Sequence, residues 1–487
     1  MHRLIPRFAA LLLLVPLVAS AAPQLTGPLP GQAFLGGSNP AASMAAHDYS
    51  ETEYFFSGTA TSYALAGGMP DDGAASATAA DKAPFTSRLI VRRPADTSKF
   101  NGILVVEWLN VSGLTDAAPD FGYLHRHLLR DGYAWVGISA QQAGVDGMAE
   151  MPVNRHLKAV NPERYGELSH PGDAFAFDIF TQGAQLAADP ATGILGGATP
   201  DQVLAIGESQ SAFALVTYVN AVDPLAAFFD GFLIHARGGN SLPLDGVRLG
   251  RDDPRFYAGR HRIRDDVRVP VLTVQSETDV VTLESVNARQ ADSDKLRLWE
   301  IAGAAHADTY LLKASALDHP GVAGAELAAA LQASDQVMGM ETALPVNAGP
   351  QQHYILQAAL HQLRNWVVSG DAPPVAPRLW LADTAPVTLA VDELGQALGG
   401  IRSPWTEAPL ALHSGLGQSG EGFAFLFGTT APLSAPQLQA LYPKGLEDYM
   451  AAFTTATDAA IAAGFILPAD RDEILALGEA QYHLAHD

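Results

Sequence analysis

The sequence contains no cysteine among its 487 residues. That absence excludes disulfides, a thiolate nucleophile and every cysteine-based zinc site, so stability must come from core burial. Positive charge is also scarce, with 29 Lys and Arg against 52 Asp and Glu and a formal charge of −23. Such a field repels nucleic acid and anionic membrane, and it disfavours polyanionic substrates. No H-E-x-x-H pattern and no phosphate-cradling glycine loop occurs, which leaves metal-assisted hydrolysis and nucleotide chemistry without a motif. Past the first twenty residues no apolar run is long enough to cross a bilayer.

What is present begins with an export signal. A basic start with Arg3 and Arg7, an apolar run over 9–18 and the small residues Ala19-Ser20-Ala21 predict a leader at 1–21, cleaved near Ala21. The mature chain is therefore expected in the periplasm or outside the cell. Losing Arg3 and Arg7 leaves 27 basic residues against 52 acidic, a formal charge of −25. Hydrophobic residues make up 48% and charged residues 17%, which suits a packed protein and not a disordered one.

Apolar strands alternate with helical stretches from residue 103 onward. Strands are predicted over 103–108, 133–139, 203–206, 229–235, 269–275 and 296–301, with helices over 121–130, 173–188, 212–222 and 351–368. Alternation of this kind calls for a mostly parallel sheet with helices on both faces. Strand-like residues also occur over 53–63 and 87–92. Three long connections, 141–172, 237–268 and 307–350, read as lids or pocket walls inserted into a domain spanning 47–372. An N-terminal arm fills 22–46. Residues 373–487 form an accessory region with short strands and two helices, 445–463 and 470–484.

One junction carries chemistry. Val203-Leu204-Ala205-Ile206 runs into Gly207-Glu208-Ser209-Gln210-Ser211 and then into a helix. A serine on a tight strand-to-helix turn is the nucleophile elbow of serine hydrolases, which lifts the hydroxyl above the sheet. The plainer alternative is a helix N-cap serine. Ser211 replaces the last glycine of G-x-S-x-G, still with a small side chain.

A serine hydroxyl needs a general base, and the base needs a carboxylate. Both follow in the expected order. Ser276-Glu277-Thr278-Asp279 ends one strand, and Gly303-Ala304-Ala305-His306 ends the next. His306 is the base and Asp279 the acid, with Glu277 near enough to substitute. His235 also ends a strand, but it precedes the acid and breaks the order. For the oxyanion, the Gln210 N–H directly follows the nucleophile, and Asn110 is the second expected donor, in the loop after Trp108.

Taken together, these phrases, with Glu107-Trp108-Leu109-Asn110-Val111-Ser112-Gly113, His170-Pro171-Gly172-Asp173 and Gly399-Gly400-Ile401-Arg402-Ser403-Pro404-Trp405, resemble the "alpha/beta hydrolase domain" family of large, often exported bacterial proteins. The resemblance runs from about residue 34 to the C-terminal helices. It implies the α/β-hydrolase fold and a serine-dependent hydrolase, with Ser209 as nucleophile, His306 as base and the acid divided between Glu277 and Asp279. No metal or cofactor is expected. The expected substrate is a small ester or lactone, with amide hydrolysis or non-catalytic binding as the competing readings.

Overall fold

The computed structural model describes residues 23–37, 41–148, 155–247 and 259–486. The leader expected at 1–21 and parts of the first two insertions lie outside the described residues. Nine strands build one sheet: β1 (Gln24–Thr26), β2 (Tyr49–Leu65), β3 (Ala77–Pro94), β4 (Ile103–Trp108), β5 (Ala134–Ile138), β6 (Gln202–Glu208), β7 (Gly231–His235), β8 (Val271–Gln275) and β9 (Leu296–Glu300). Their order is β1-β2-β3-β5-β4-β6-β7-β8-β9. From β5 to β9 every pairing is parallel, while β1, β2 and β3 add on antiparallel.

The parallel strands are buried along nearly their whole length, only Gln202 and Arg297 being half-buried, as expected of strands covered on both faces. Side chains on β4 alternate between two cores, Ile103 and Val105 on one face and Leu104, Val106 and Trp108 on the other. Helices α1 (Pro119–Arg130) and α4 (Gln351–Ser369) cover the first face, and α2 (Ala176–Ala188) and α3 (Gln210–Thr217) the second. Each fully buried Leu, Ile or Phe contributes roughly 1.5–3 kcal/mol, so the sheet is held mainly by these two layers. The α1 helix starts at Pro119, two residues before the apolar pattern begins, because proline at the first turn forfeits no hydrogen bond.

The β2–β3 pair is much longer than the strand-like stretches suggested. Its proximal half carries most of the apolar burial, with Tyr54, Phe55, Phe56, Leu89, Ile90 and Val91 buried. In the distal half β3 is largely exposed over 78–84, while β2 keeps Ala60 and Ser62 buried and donates from Thr61 N–H to Asp178 on α2. Buried Arg88 on β3 ties three segments together. Its guanidinium meets Glu53 at 3.1 Å and Asp116 at 2.7 Å and donates to the Phe34 carbonyl.

Residues 373–486 pack against the α4 face. Trp405 stacks on Tyr354 with ring centroids 5.5 Å apart and 6° between planes, and it donates to Gln481. Helices α5 (Leu446–Ala462) and α6 (Arg471–His486) bury Phe453, Ile474 and Leu477 in the core that holds Leu356 and Leu360. The insertion at 307–350 contains a helix of its own, Gly324–Ala330.

Candidate active site

Ser209 sits between β6 and α3 with φ 57° and ψ −119°. A non-glycine residue held there costs on the order of 1–3 kcal/mol, which the flanking strand and helix must sustain. Two backbone bonds fix the turn, Ser209 N–H to the His235 carbonyl and Phe213 N–H to the Ser209 carbonyl. Glycine at 207 avoids crowding, because a Cβ would stand 3.0 Å from Ser211 Cβ and 3.1 Å from Leu215 Cδ1. The same proximity explains why position 211 carries only a small side chain.

The structure brings Ser209, His306 and Asp279 together. His306 Nε2 lies 2.8 Å from Ser209 Oγ, and His306 Nδ1 lies 2.6 Å from Asp279 Oδ1. Asp279 is held from behind: its Oδ2 accepts from Ser276 N–H at 2.6 Å and from Ser276 Oγ at 2.8 Å, a capping box on the short helix Glu277–Val281. The acid and its loop are thus fixed by a local helix start. Burial works against the His306 imidazolium, but Asp279 and Glu208 outweigh it and hold the ring above its ordinary value.

Glu277 is not an alternative acid. Its carboxylate is taken by other donors, accepting from Gly303 N–H at 2.6 Å, Gly415 N–H at 2.8 Å and Ser414 Oγ at 2.9 Å. Burial pushes Glu277 upward, and these three donors oppose that. Its work is to fasten the loop leading to His306 onto the accessory region. Gly415 permits the approach, since a Cβ there would meet the Ala304 carbonyl at 2.4 Å and Glu277 Cβ at 2.7 Å.

Asn110 is a second correction. Its N–H is committed to the Ala117 carbonyl at 2.8 Å, and its side-chain amide donates to the carbonyl and to Oε2 of Glu208, both at 3.1 Å. Neither donor is free for an oxyanion. Leu109 and Ser112 N–H are also taken, so Val111 is the residue between them whose N–H has no acceptor among the described residues. Gln210, the first residue of α3, has a backbone N–H that no earlier helical carbonyl can accept.

Sequence reasoning passed over Glu208. It is buried, and its Oε1 stands 3.3 Å from His306 Nε2, on the side of the ring opposite Asp279. Burial drives its carboxyl up to about 7, with His306 and His235 opposing and Asp120 and Asp279 adding to the rise. The available signal was a charged side chain closing an otherwise apolar strand. His235, paired in register with Glu208 across β6 and β7, turns its Nδ1 to Asp120 at 2.8 Å.

Two other groups bring possible metal-ligand atoms within 4.8 Å of one another, His127 with Asp131 and His361, and Asp318 with His353 and Glu473. In the second, Arg126 already pairs with Asp318 and Glu473. Neither group includes a residue of the Ser209 relay.

A strained serine on a strand-to-helix turn, at the carboxyl edge of a mostly parallel sheet and linked to a histidine and a carboxylate, defines an α/β-hydrolase. The chain belongs to the "Alpha/beta hydrolase domain" family, whose model matches residues 21–476. No curated protein matches the sequence. Similar solved structures include a thermostable esterase from Pseudomonas putida ECU1011, 12% identical, covering 54% of this chain and 78% of that one at a TM-score of 0.27. An alpha-beta serine hydrolase homologue from Coxiella burnetii is 12% identical, covering 46% and 84% at a TM-score of 0.28. A serine hydrolase without lid from Xanthomonas campestris is 13% identical, covering 49% and 83% at a TM-score of 0.27. No helix among the described residues is long and apolar enough to cross a membrane.

Proposed function

We propose that this hydrolase cleaves carboxylic esters or lactones through an acyl-enzyme on Ser209. The observation that carries the reading is the unbroken hydrogen-bonded line from Ser209 Oγ through His306 to Asp279. Ser209 Oγ attacks the acyl carbonyl while its proton passes to His306 Nε2, and Asp279 at Nδ1 holds the tautomer and stabilises the imidazolium. The negative charge on the carbonyl oxygen falls to the Gln210 N–H, with Val111 as the second donor in place of Asn110. His306 then returns its proton to the leaving alkoxide, the C–O bond breaks, and a water deprotonated by His306 releases the acid. In a lactone the leaving alkoxide stays attached to the acyl chain, so the chemistry is unchanged.

With the leader removed, this reaction takes place outside the cytoplasm. The test is a panel of p-nitrophenyl esters and simple lactones on the purified protein, with Ser209→Ala as the blank and a fluorophosphonate probe to label Ser209. Turnover that disappears in the variant, with the label on Ser209, is the expected result. A wild-type protein that neither labels nor turns over any ester, lactone or matched anilide would end this reading.

A further inference from the structure

We propose that Glu208 is a second anionic partner of His306, clamped by Asn110 so that the imidazolium formed in each half-reaction lies between two carboxylates. The proposal rests on the acyl-enzyme reading and extends it to a residue outside the Ser209–His306–Asp279 line.

The two carboxylates meet different atoms of one ring. Asp279 takes Nδ1 at 2.6 Å, and Glu208 Oε1 stands 3.3 Å from Nε2, the nitrogen that also faces Ser209 Oγ. Glu208 is held there from both ends. The Asn110 amide donates to its Oε2 and to its backbone carbonyl, while the β6 ladder fixes the main chain against β4 and β7. Glu208 forms no ion pair with Lys or Arg among the described residues, so His306 is its nearest cationic partner.

With His306 neutral, Nε2 carries a lone pair, and an ionised Glu208 at 3.3 Å gains nothing from it. Once Ser209 has given up its proton, Nε2 bears N–H⁺ and the same carboxylate becomes favourable. That difference between ground state and transition state is what accelerates a step; equal stabilisation of both would not. Glu208 neither takes nor gives a proton in the cycle. The Ser209 proton moves to Nε2 and on to the leaving alkoxide, and the water proton moves to Nε2 and back to Ser209 Oγ.

The ionisation of Glu208 is set by the groups facing it from each neighbouring element. His306 approaches from the loop after β9 and His235 from the end of β7, both favouring the carboxylate. Asp120 on α1 and Asp279 after β8 oppose it, and the Tyr123 phenol also senses its charge. The imidazolium that appears during turnover therefore faces a carboxyl whose ionised form His306 and His235 both favour.

Glu208→Gln keeps the shape and an acceptor for Asn110 but removes the charge. Two readouts separate the outcomes: kcat and kcat/KM for a p-nitrophenyl ester from pH 5 to 9, and the rate of fluorophosphonate labelling of Ser209 over the same range. We expect kcat to fall about tenfold to a hundredfold. The acid limb should move to lower pH, because His306 loses a negative neighbour that raises it. Glu208→Asp, which retains the charge, should recover part of the rate and the limb position. A merely structural carboxyl would alter stability and leave both pH profiles in place. Wild-type kcat, labelling rate and acid limb in a folded Glu208→Gln protein overturn the proposal, with the esterase reading intact. A wild type that neither labels nor turns over overturns the reading beneath it. Should Glu208→Gln fail to fold, Asn110→Ala frees the carboxyl from its clamp, and a rate and limb identical to wild type would overturn the proposal equally.

Discussion

The elbow and the acid loop lie on the two sides of the His306 ring, and they are built differently. The elbow comes from neighbours in sequence: β6, Gly207, Ser209 and the first turn of α3 make one another's turn. Opposite it, the acid loop has a local start in the Ser276–Asp279 capping box and is anchored in addition from a distance. Glu277 and Thr278, beside the acid, are held by Ser414 and Gly415, about 137 residues further along the chain. The elbow is thus built largely from its own stretch, with the His235 carbonyl and Asn110 as outside supports, while the acid loop leans on the accessory region.

The sharpest way to test that contrast is to remove one group from each side. Ser209→Ala should cost on the order of 10⁶ in kcat with the fold retained, measured as ester turnover alongside circular dichroism. Asp279→Asn should lower kcat by about 10⁴, since an amide cannot hold the productive tautomer. Glu277→Gln, two residues away, should instead leave kcat per folded molecule within a few-fold of wild type while lowering stability by about 2–3 kcal/mol in urea unfolding. If the two acid-loop variants exchanged these phenotypes, the assignment of Asp279 would be wrong.

A pH profile refines the same comparison. In the proposed mechanism His306 acts only as neutral imidazole, and Asp279 with Glu208 holds it above the usual 6.5 despite burial. Activity should therefore disappear as pH falls through a midpoint above 6.5, and Asp279→Asn should move that midpoint down. Glu277→Gln should leave it unchanged. The linked stability has the opposite sense: because the folded value is raised, the contribution is fully present below about 6.5 and lost as pH rises through the folded value. The smallest effects belong to the contact between regions. Gly415→Ala should destabilise by about 2 kcal/mol through its clash with the Ala304 carbonyl, and Ser414→Ala by about 1 kcal/mol. Both are read from thermal unfolding.

How much of this was visible in the sequence follows the same division. Ile206-Gly207 before Ser209 and the apolar strands marked the elbow and the parallel sheet, because buried parallel strands and strained turns impose local composition. The acid stayed divided since the partners that claim Glu277 arrive from far along the chain. Ser276-x-x-Asp279 did hold a readable clue, as a carboxylate three residues after a capping serine reaches back to its N–H. Asn110 misled because its N–H joins a bridge to Ala117, which no strand pattern announces. The distal part of β3 was missed because residues 78–84 are mostly exposed and offer little apolar face to repeat.

The Glu277 fastening also orders events in time. A chain made from its N-terminus contains Ser209, Asp279 and His306 long before residues 414 and 415 exist. During synthesis the loop bearing the acid therefore waits for the accessory region to emerge. A ribosome stalled anywhere between residues 306 and 414 would hold a nascent chain with Ser209, Asp279 and His306 all present and the Glu277 fastening unmade.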